Sequence, residues 1–276
     1  MIIQNQTFDQ ERAFYGSNDV KIIDCKFDGE ADGESAFKES RNVQAEKCFF
    51  NLRYPFWHDK NVFISNCEMT PLCRAALWYS SDIVVKDTVM HGIKALRECE
   101  NITLENVDVS STEFGWFSKN IKISSSVAEG EYFMFKTKSL SINDLKFKGK
   151  YSFQYVENAD LEGCTLETKD AFWHARNLTI KNCIIKGEYL AWYSEGLTFE
   201  NCIIYGTQPF CYCENLRLIN CEMYDADLAF EKSEVDAILT KPIISIKNPV
   251  RGRILVPSAD TIIKDDIDSK CEIIFA

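Results

Sequence analysis

All five tryptophans of this chain, Trp57, Trp78, Trp116, Trp173 and Trp192, stand four residues before a recurring polar anchor. Other occurrences of that position hold Lys38, Arg97, Phe135, Gln154, Cys211 and Phe230. A column that accepts Lys, Arg and Gln does not suit a dry core, so it is expected to face water. The following position carries His58, Tyr79, Glu98, Phe117, Lys136, Tyr155, His174, Tyr193, Tyr212 and Glu231. Strict alternation cannot expose both columns, and the position before the tryptophans is apolar (Phe56, Leu77, Leu96, Met134, Phe172, Phe210). A bend or bulge is therefore expected at this point. Exposed aromatic strips mark binding surfaces. Flat rings suit the apolar faces of sugars, with Arg97, Glu98, His58 and His174 able to bond hydroxyls. The candidate ligand-binding set is Trp57, His58, Trp78, Tyr79, Arg97, Glu98, Trp116, Trp173, His174, Trp192 and Tyr193. Stacking between coils, with no ligand, is the bland alternative for the same rings.

Catalytic chemistry has thinner support. The three histidines are His58 and His174, each in an FWH tripeptide, and His91 beside Gly92 at a corner. Asp225, Asp227 and Glu231 cluster in YDADLAFEK, with Asp170 and Glu188 earlier. From these, His174, Asp227 and Glu231 are the weak catalytic candidates. The twelve cysteines mostly share one periodic position, which favours packed free thiols over disulfides. Cys211 and Cys213 form a single C-x-C with no second pair, so no metal site is expected, nor a cofactor.

The elements that must position these residues follow from an internal repeat. Anchors fall at Asp19, Asn42, Asn61, Asp82, Asn101, Asn120, Ser139, Asn158, Asn177, Gly196, Asn215 and Glu234, and nine of the eleven intervals are 19 residues, which excludes chance. The exceptions are 23 residues around Gly29 to Ser35 and 21 around Pro71 to Ala75. The first and third residues after an anchor are apolar (Val62 and Ile64, Leu178 and Ile180), the period-2 mark of a strand with one buried face. Asn66, Asn106, Asn182, Asn201 and Asn220 follow at the fifth position, where Asn tolerates a left-handed corner. Cys25, Cys48, Cys67, Cys164, Cys183, Cys202 and Cys221 come sixth, and glycines such as Gly187 and Gly206 tenth.

Three short strands and three corners leave no room for a helix. The expected fold is all-β, a single-stranded right-handed parallel β-helix of about 12 coils of mostly 19 residues, because parallel crossovers are right-handed in about 98% of cases. Residues 1–11 are expected to cap its N-terminal end, 12–240 to form the solenoid and 241–276 to add cap strands. The asparagine corners, cysteine and isoleucine ladders and NLTIKNC-type coils resemble the β-helices of the pectin-lyase-like superfamily. More narrowly the chain resembles a bacterial family of such solenoids with no assigned activity. The resemblance covers about residues 12 to 240, and it implies a fold rather than one chemistry, since the superfamily includes lyases, hydrolases, adhesins and scaffolds. Its glycosidases use clustered carboxylates and its lyases an acidic calcium site.

The charge balance, 31 basic against 42 acidic residues and a net charge of −11, disfavours nucleic acid and anionic membranes as partners. With no apolar run at Met1 to Glu11, the chain reads as cytoplasmic. The expected function is carbohydrate binding through an aromatic face. A structural or protein-docking scaffold, meeting a partner or a second copy through the same stripe, is the alternative, followed by a diverged polysaccharide lyase or glycoside hydrolase.

Overall fold

The computed structural model describes all residues from Met1 to Ala276 and contains strands, turns and no helix, hence no helix able to cross a membrane. The chain forms a parallel β-solenoid of about 14 turns, each of about 19 residues. Two compact units divide it, Met1–Ser139 and Leu140–Ala276.

In the first unit the residues one and three after each anchor build the main sheet. Val20, Val43, Val62, Ile83, Ile102 and Ile121 pair in unbroken parallel register, and so do Ile22, Ala45, Ile64, Val85, Leu104 and Ile123. These side chains are buried because alternation sends every second residue inward. A second sheet stacks Phe27, Phe50, Met69 and Met90, and a third carries Phe56, Leu77 and Leu96 in one row and Trp57, Trp78 and Arg97 in the next. Phe14, Phe37 and Phe56 stack at 5.1 and 5.3 Å between ring centroids within the core.

The second unit repeats this plan. Leu161, Ile180, Phe199, Leu218, Ala237 and Ile254 are in register in its main sheet, and Leu166, Ile185, Ile204 and Met223 in its second. Phe153 and Phe172 stack at 5.2 Å and Phe210 and Phe230 at 5.9 Å inside.

The corners have the expected local cause. Asn42, Asn61, Asp82, Asn101 and Asn120 at the anchors, and Asn66, Asn106, Asn182, Asn201 and Asn220 five residues on, all have φ between 53° and 58°. Asn and Asp reach this left-handed region at least cost because their side chains bond locally. They also bond from coil to coil: Asn61 Nδ2 donates to Asn42 Oδ1 at 2.7 Å and Asn101 Nδ2 to Asp82 Oδ1 at 2.9 Å. At Gly187, φ 155°, a Cβ would overlap the Thr168 carbonyl oxygen, which is why the tenth position selects glycine.

The count exceeds the expected 12 because both ends continue the winding. Ile2–Gln4 pairs in parallel with Lys21–Ile23, a 19-residue step. Arg251–Val256 pairs with Glu234–Leu239 on one side and Glu272–Phe275 on the other.

All twelve cysteines are free and buried. Burial pushes the Cys99 thiol up to about 12 and Cys213 to about 11, so both stay protonated packing groups. No group of three or more His, Cys, Asp and Glu side chains is placed to hold a metal.

Candidate functional site

The bend inferred beside the tryptophans is a left-handed residue. His58, Tyr79, Glu98 and Phe117 in the first unit have φ from 51° to 61°, and Tyr155, His174, Tyr193 and Tyr212 in the second from 55° to 59°. A left-handed residue turns the chain so that two successive side chains leave the core on one side. The two columns share the outer surface unequally. Tyr79, Phe117, Tyr155 and Tyr193 are 42%, 43%, 41% and 46% exposed, whereas all five tryptophans are half-buried. The column expected to face water is thus the inner of the two, and the one after it is the exposed one.

Each stacked tryptophan has at least one ring face covered by a neighbouring coil. In the first unit Trp57 and Trp78 stack at 5.6 Å with 13° between planes. Lys38 Nζ lies 4.3 Å from the Trp57 ring, and the Arg97 guanidinium is 5.7 Å from Trp78 and 5.4 Å from Trp116. Arg97 is anchored by Glu98 at 3.1 Å and Glu113 at 3.4 Å. In the second unit Trp173 and Trp192 stack at 5.5 Å and 4°. Their indole N–H groups donate to the carbonyls of Tyr189 and Gln208, each at 2.7 Å, and Trp116 donates likewise to Tyr132. A face-on sugar contact with Trp57 and Trp78 is therefore blocked by their own neighbours, and Trp173 and Trp192 each cover one face of the other.

The outer column offers ring edges and polar tips. Tyr155, His174, Tyr193 and Tyr212 form one stack with centroid separations of 4.7, 5.1 and 4.8 Å. Burial, assisted by the Arg176 charge, holds the His174 imidazole below its usual range, which favours its neutral form. Burial and the nearby Glu231 carboxylate raise Tyr212. The first unit has a shorter counterpart, His58 against Tyr79 at 5.0 Å, then Glu98 and Phe117.

His174 and Glu231, two of the catalytic candidates, lie on coils far apart. Tyr193 and Tyr212 stand between His174 and the coil of Glu231, three coil spacings or about 14 Å at about 4.8 Å each. Glu231 is bound to Lys247 at 3.0 Å, and Asp227 Oδ1 accepts from Ser245 Oγ at 2.6 Å. Asp170 is buried, which raises its carboxyl, and Glu188 pairs with Lys169 at 3.1 Å.

One column assignment is corrected by the hydrogen bonding. Tyr193 N donates to Cys211 O, and Tyr212 N donates to Glu231 O. Glu231 therefore occupies the tryptophan column, Phe230 the buried one beneath Phe210, and Lys232, with φ 52°, the exposed one. The step from Cys213 to Ser233, joined by N–H to Oγ at 2.8 Å, is 20 residues. The extra residue lies in the 224–232 turn and is absorbed at Glu234, so anchor spacing alone concealed it. Phe117, Tyr155 and Tyr212 belong to the exposed column yet fall outside the expected binding set. Their shared position with Tyr79 and Tyr193 was the available signal.

Among solved structures the chain is similar to PfbA, a surface adhesin of Streptococcus pneumoniae, at 10% identity over 77% of this chain and 71% of that one, TM-score 0.33. It is similar also to the A-module of the Azotobacter vinelandii mannuronan C-5 epimerase AlgE4, at 8% identity over 92% and 88%, TM-score 0.30. A third similarity, to tailspike protein 3 of bacteriophage CBA120, has 8% identity over 98% of this chain and 55% of that one, TM-score 0.33. No curated protein matches the sequence. The family model described as "Protein of unknown function (DUF3737)" matches residues 1–274, and the chain belongs to that family.

Proposed function

We propose that the protein binds carbohydrate through its exposed tyrosine–histidine column. The observation that carries this reading is the concentration of Tyr79, Phe117, Tyr155 and Tyr193, all more than two-fifths exposed, at one repeat position outside a core already filled by the phenylalanine stacks. Stacking between coils occupies ring faces of Tyr155 and Tyr193, while the exposed remainder of these rings gains nothing from packing. Phenol and imidazole tips present donors and acceptors for sugar hydroxyls, and ring edges present apolar contact beside them. The tryptophans stand behind the column as a rigid backing rather than as the contact surface.

The test is titration of the full chain with a panel of oligosaccharides, read by calorimetry and tryptophan fluorescence. Binding that weakens about three- to tenfold in Tyr193→Ala, with Trp173→Phe nearly unchanged, supports the reading. A panel without any binding, or binding indifferent to Tyr79→Ala and Tyr193→Ala alike, removes it. A scaffold role is the second reading, favoured by the face-to-face burial of the Trp57–Trp78 and Trp173–Trp192 pairs, which serves cohesion between coils. It expects a protein partner or a second copy on the same column.

A further inference from the structure

Two residues before each anchor from Asn42 to Ser139 runs a buried polar ladder: Ser40, Asp59, Ser80, Cys99, Ser118 and Thr137. Its hydroxyls make two kinds of bond, and Ser40 and Ser80 make both. They accept a peptide N–H from the coil before, as Ser80 Oγ does from Asp59 N at 2.9 Å and Ser118 Oγ from Cys99 N at 3.0 Å. Ser40 Oγ and Ser80 Oγ also donate to a carbonyl of that earlier coil, Phe14 O at 2.9 Å and Phe56 O at 3.0 Å, whereas Ser118 Oγ and Thr137 Oγ1 donate within their own coil, to Trp116 O at 3.4 Å and Met134 O at 3.0 Å. Every rung but one is a hydroxyl or a thiol, able to do both.

Asp59 is the exception. Its Oδ1 accepts the Ser40 N–H at 2.8 Å, which fulfils the accepting half of the role. Its Oδ2 is buried with no partner. A carboxylate has no proton for the donating half, whereas a carboxylic acid has one. No cation faces the group to favour its ionised form: Lys60 is turned outward to Asp82 at 3.9 Å, and Lys38 lies over the Trp57 ring. His58, the preceding residue, is exposed, and the charge that acts on Asp59 is the Glu39 carboxylate, which opposes ionisation.

We infer that Asp59 is a proton-operated latch between the coils of Ser40 and Ser80, closing the hydroxyl ladder beneath Trp57 and Trp78 when neutral and opening it when ionised. Burial, with Glu39 adding to it, pushes the carboxyl up to about 8, against 3.8 for the free group. The native state therefore holds a proton that the unfolded chain has released throughout that window. The contribution to stability is fully present below about pH 4, falls as pH rises, and is gone above about 8.

Equilibrium denaturation of the full chain between pH 5 and 9 tests this, comparing wild type with Asp59→Ser, which restores the ladder's usual rung, and with Asp59→Asn. The unfolding constant of the wild type, relative to Asp59→Ser, is expected to rise about tenfold per pH unit from pH 5 to 8 and to level off beyond. Tryptophan emission of the folded wild type should shift to the red between pH 7 and 9, and that of Asp59→Ser should not. Parallel pH profiles for the two proteins would overturn the inference. Independently of whether either variant folds, carbon-13 NMR of aspartate-labelled wild type should show the Asp59 carboxyl titrating well above pH 6, and ionisation near pH 4 would overturn it.

Discussion

The tripeptide Phe-Trp-His occurs twice, at 56–58 in the first unit and 172–174 in the second, and the two copies stand in different chemistry. Both phenylalanines are buried and both tryptophans stack on a tryptophan of the next coil. In the second unit each stacked indole N–H is bonded to a backbone carbonyl. In the first unit Trp57 Nε1 and Trp78 Nε1 are buried without a partner, and a lysine and an arginine flank the pair instead. Arg53 Nε, 3.8 Å from a Glu34 carboxylate oxygen, and Asp59 Oδ2 complete the buried side-chain atoms without a hydrogen-bond partner, and all four lie in the first unit. The coil running from Asn61 to Asp82 is two residues longer than the repeat, whereas the coil that follows Trp78, from Asp82 to Asn101, keeps the usual 19, so coil length alone does not separate the two units. The lesson is that a repeated motif preserves packing while its polar environment need not repeat with it.

The largest expected effects test the shared part of that comparison. Phe56→Ala and Phe172→Ala should each cost about 3–5 kcal/mol in chemical denaturation, since both leave a cavity among stacked rings. A cost below about 1 kcal/mol at either would show that its unit is not close-packed there.

The difference between the units is sharper in the indoles. Trp192→Phe should cost about 1–2 kcal/mol, because it strips the Gln208 carbonyl of its donor. Trp78→Phe removes a donor that had no acceptor, and should change stability by no more than about 0.5 kcal/mol. Equal costs in thermal or urea unfolding would dissolve the distinction.

The cationic flank is worth less. Arg97→Met should cost about 0.5–1 kcal/mol through lost contact with Trp78 and Trp116, a loss that high salt does little to mask in this partly buried site. No residue plays this part for the Trp173–Trp192 pair, so Arg176→Met should be closer to neutral.

Acidification gives the smallest effect and one opposite in sign to that of Asp59. The His174 imidazole is depressed by burial and by Arg176, so below the unfolded value of 6.5 the unfolded chain takes up a proton that the native state refuses. Stability attributable to this group is present above about pH 6.5 and declines as pH falls through the native value. Proton NMR titration of His174, with flattening of the acid limb of stability in His174→Gln, checks it.

Much of the architecture is legible without coordinates. The 19-residue period, the apolar residues one and three after each anchor, and the Asn and Gly corners state local preferences: strands have period 2, and left-handed dihedrals select few residue types. The outer aromatic column was legible as a column, down to the need for a bend beside it. Its partition was not. That Tyr193 is exposed while Trp192 is half-buried follows from the left-handed φ of 58° at Tyr193, a choice made by a bulky residue because the stacked coils demand it rather than because tyrosine prefers it.

By itself, then, the amino-acid order determined a parallel solenoid, its inward face and its corners, since each of these is set within a few neighbouring residues. Tertiary structure alone decided which ring faces are covered, that a 20-residue step places Lys232 in the outer column, and that the Asp59 carboxyl is sealed with one unpartnered oxygen. These depend on what the coils above and below supply, about nineteen residues away in the chain and about 5 Å away in space.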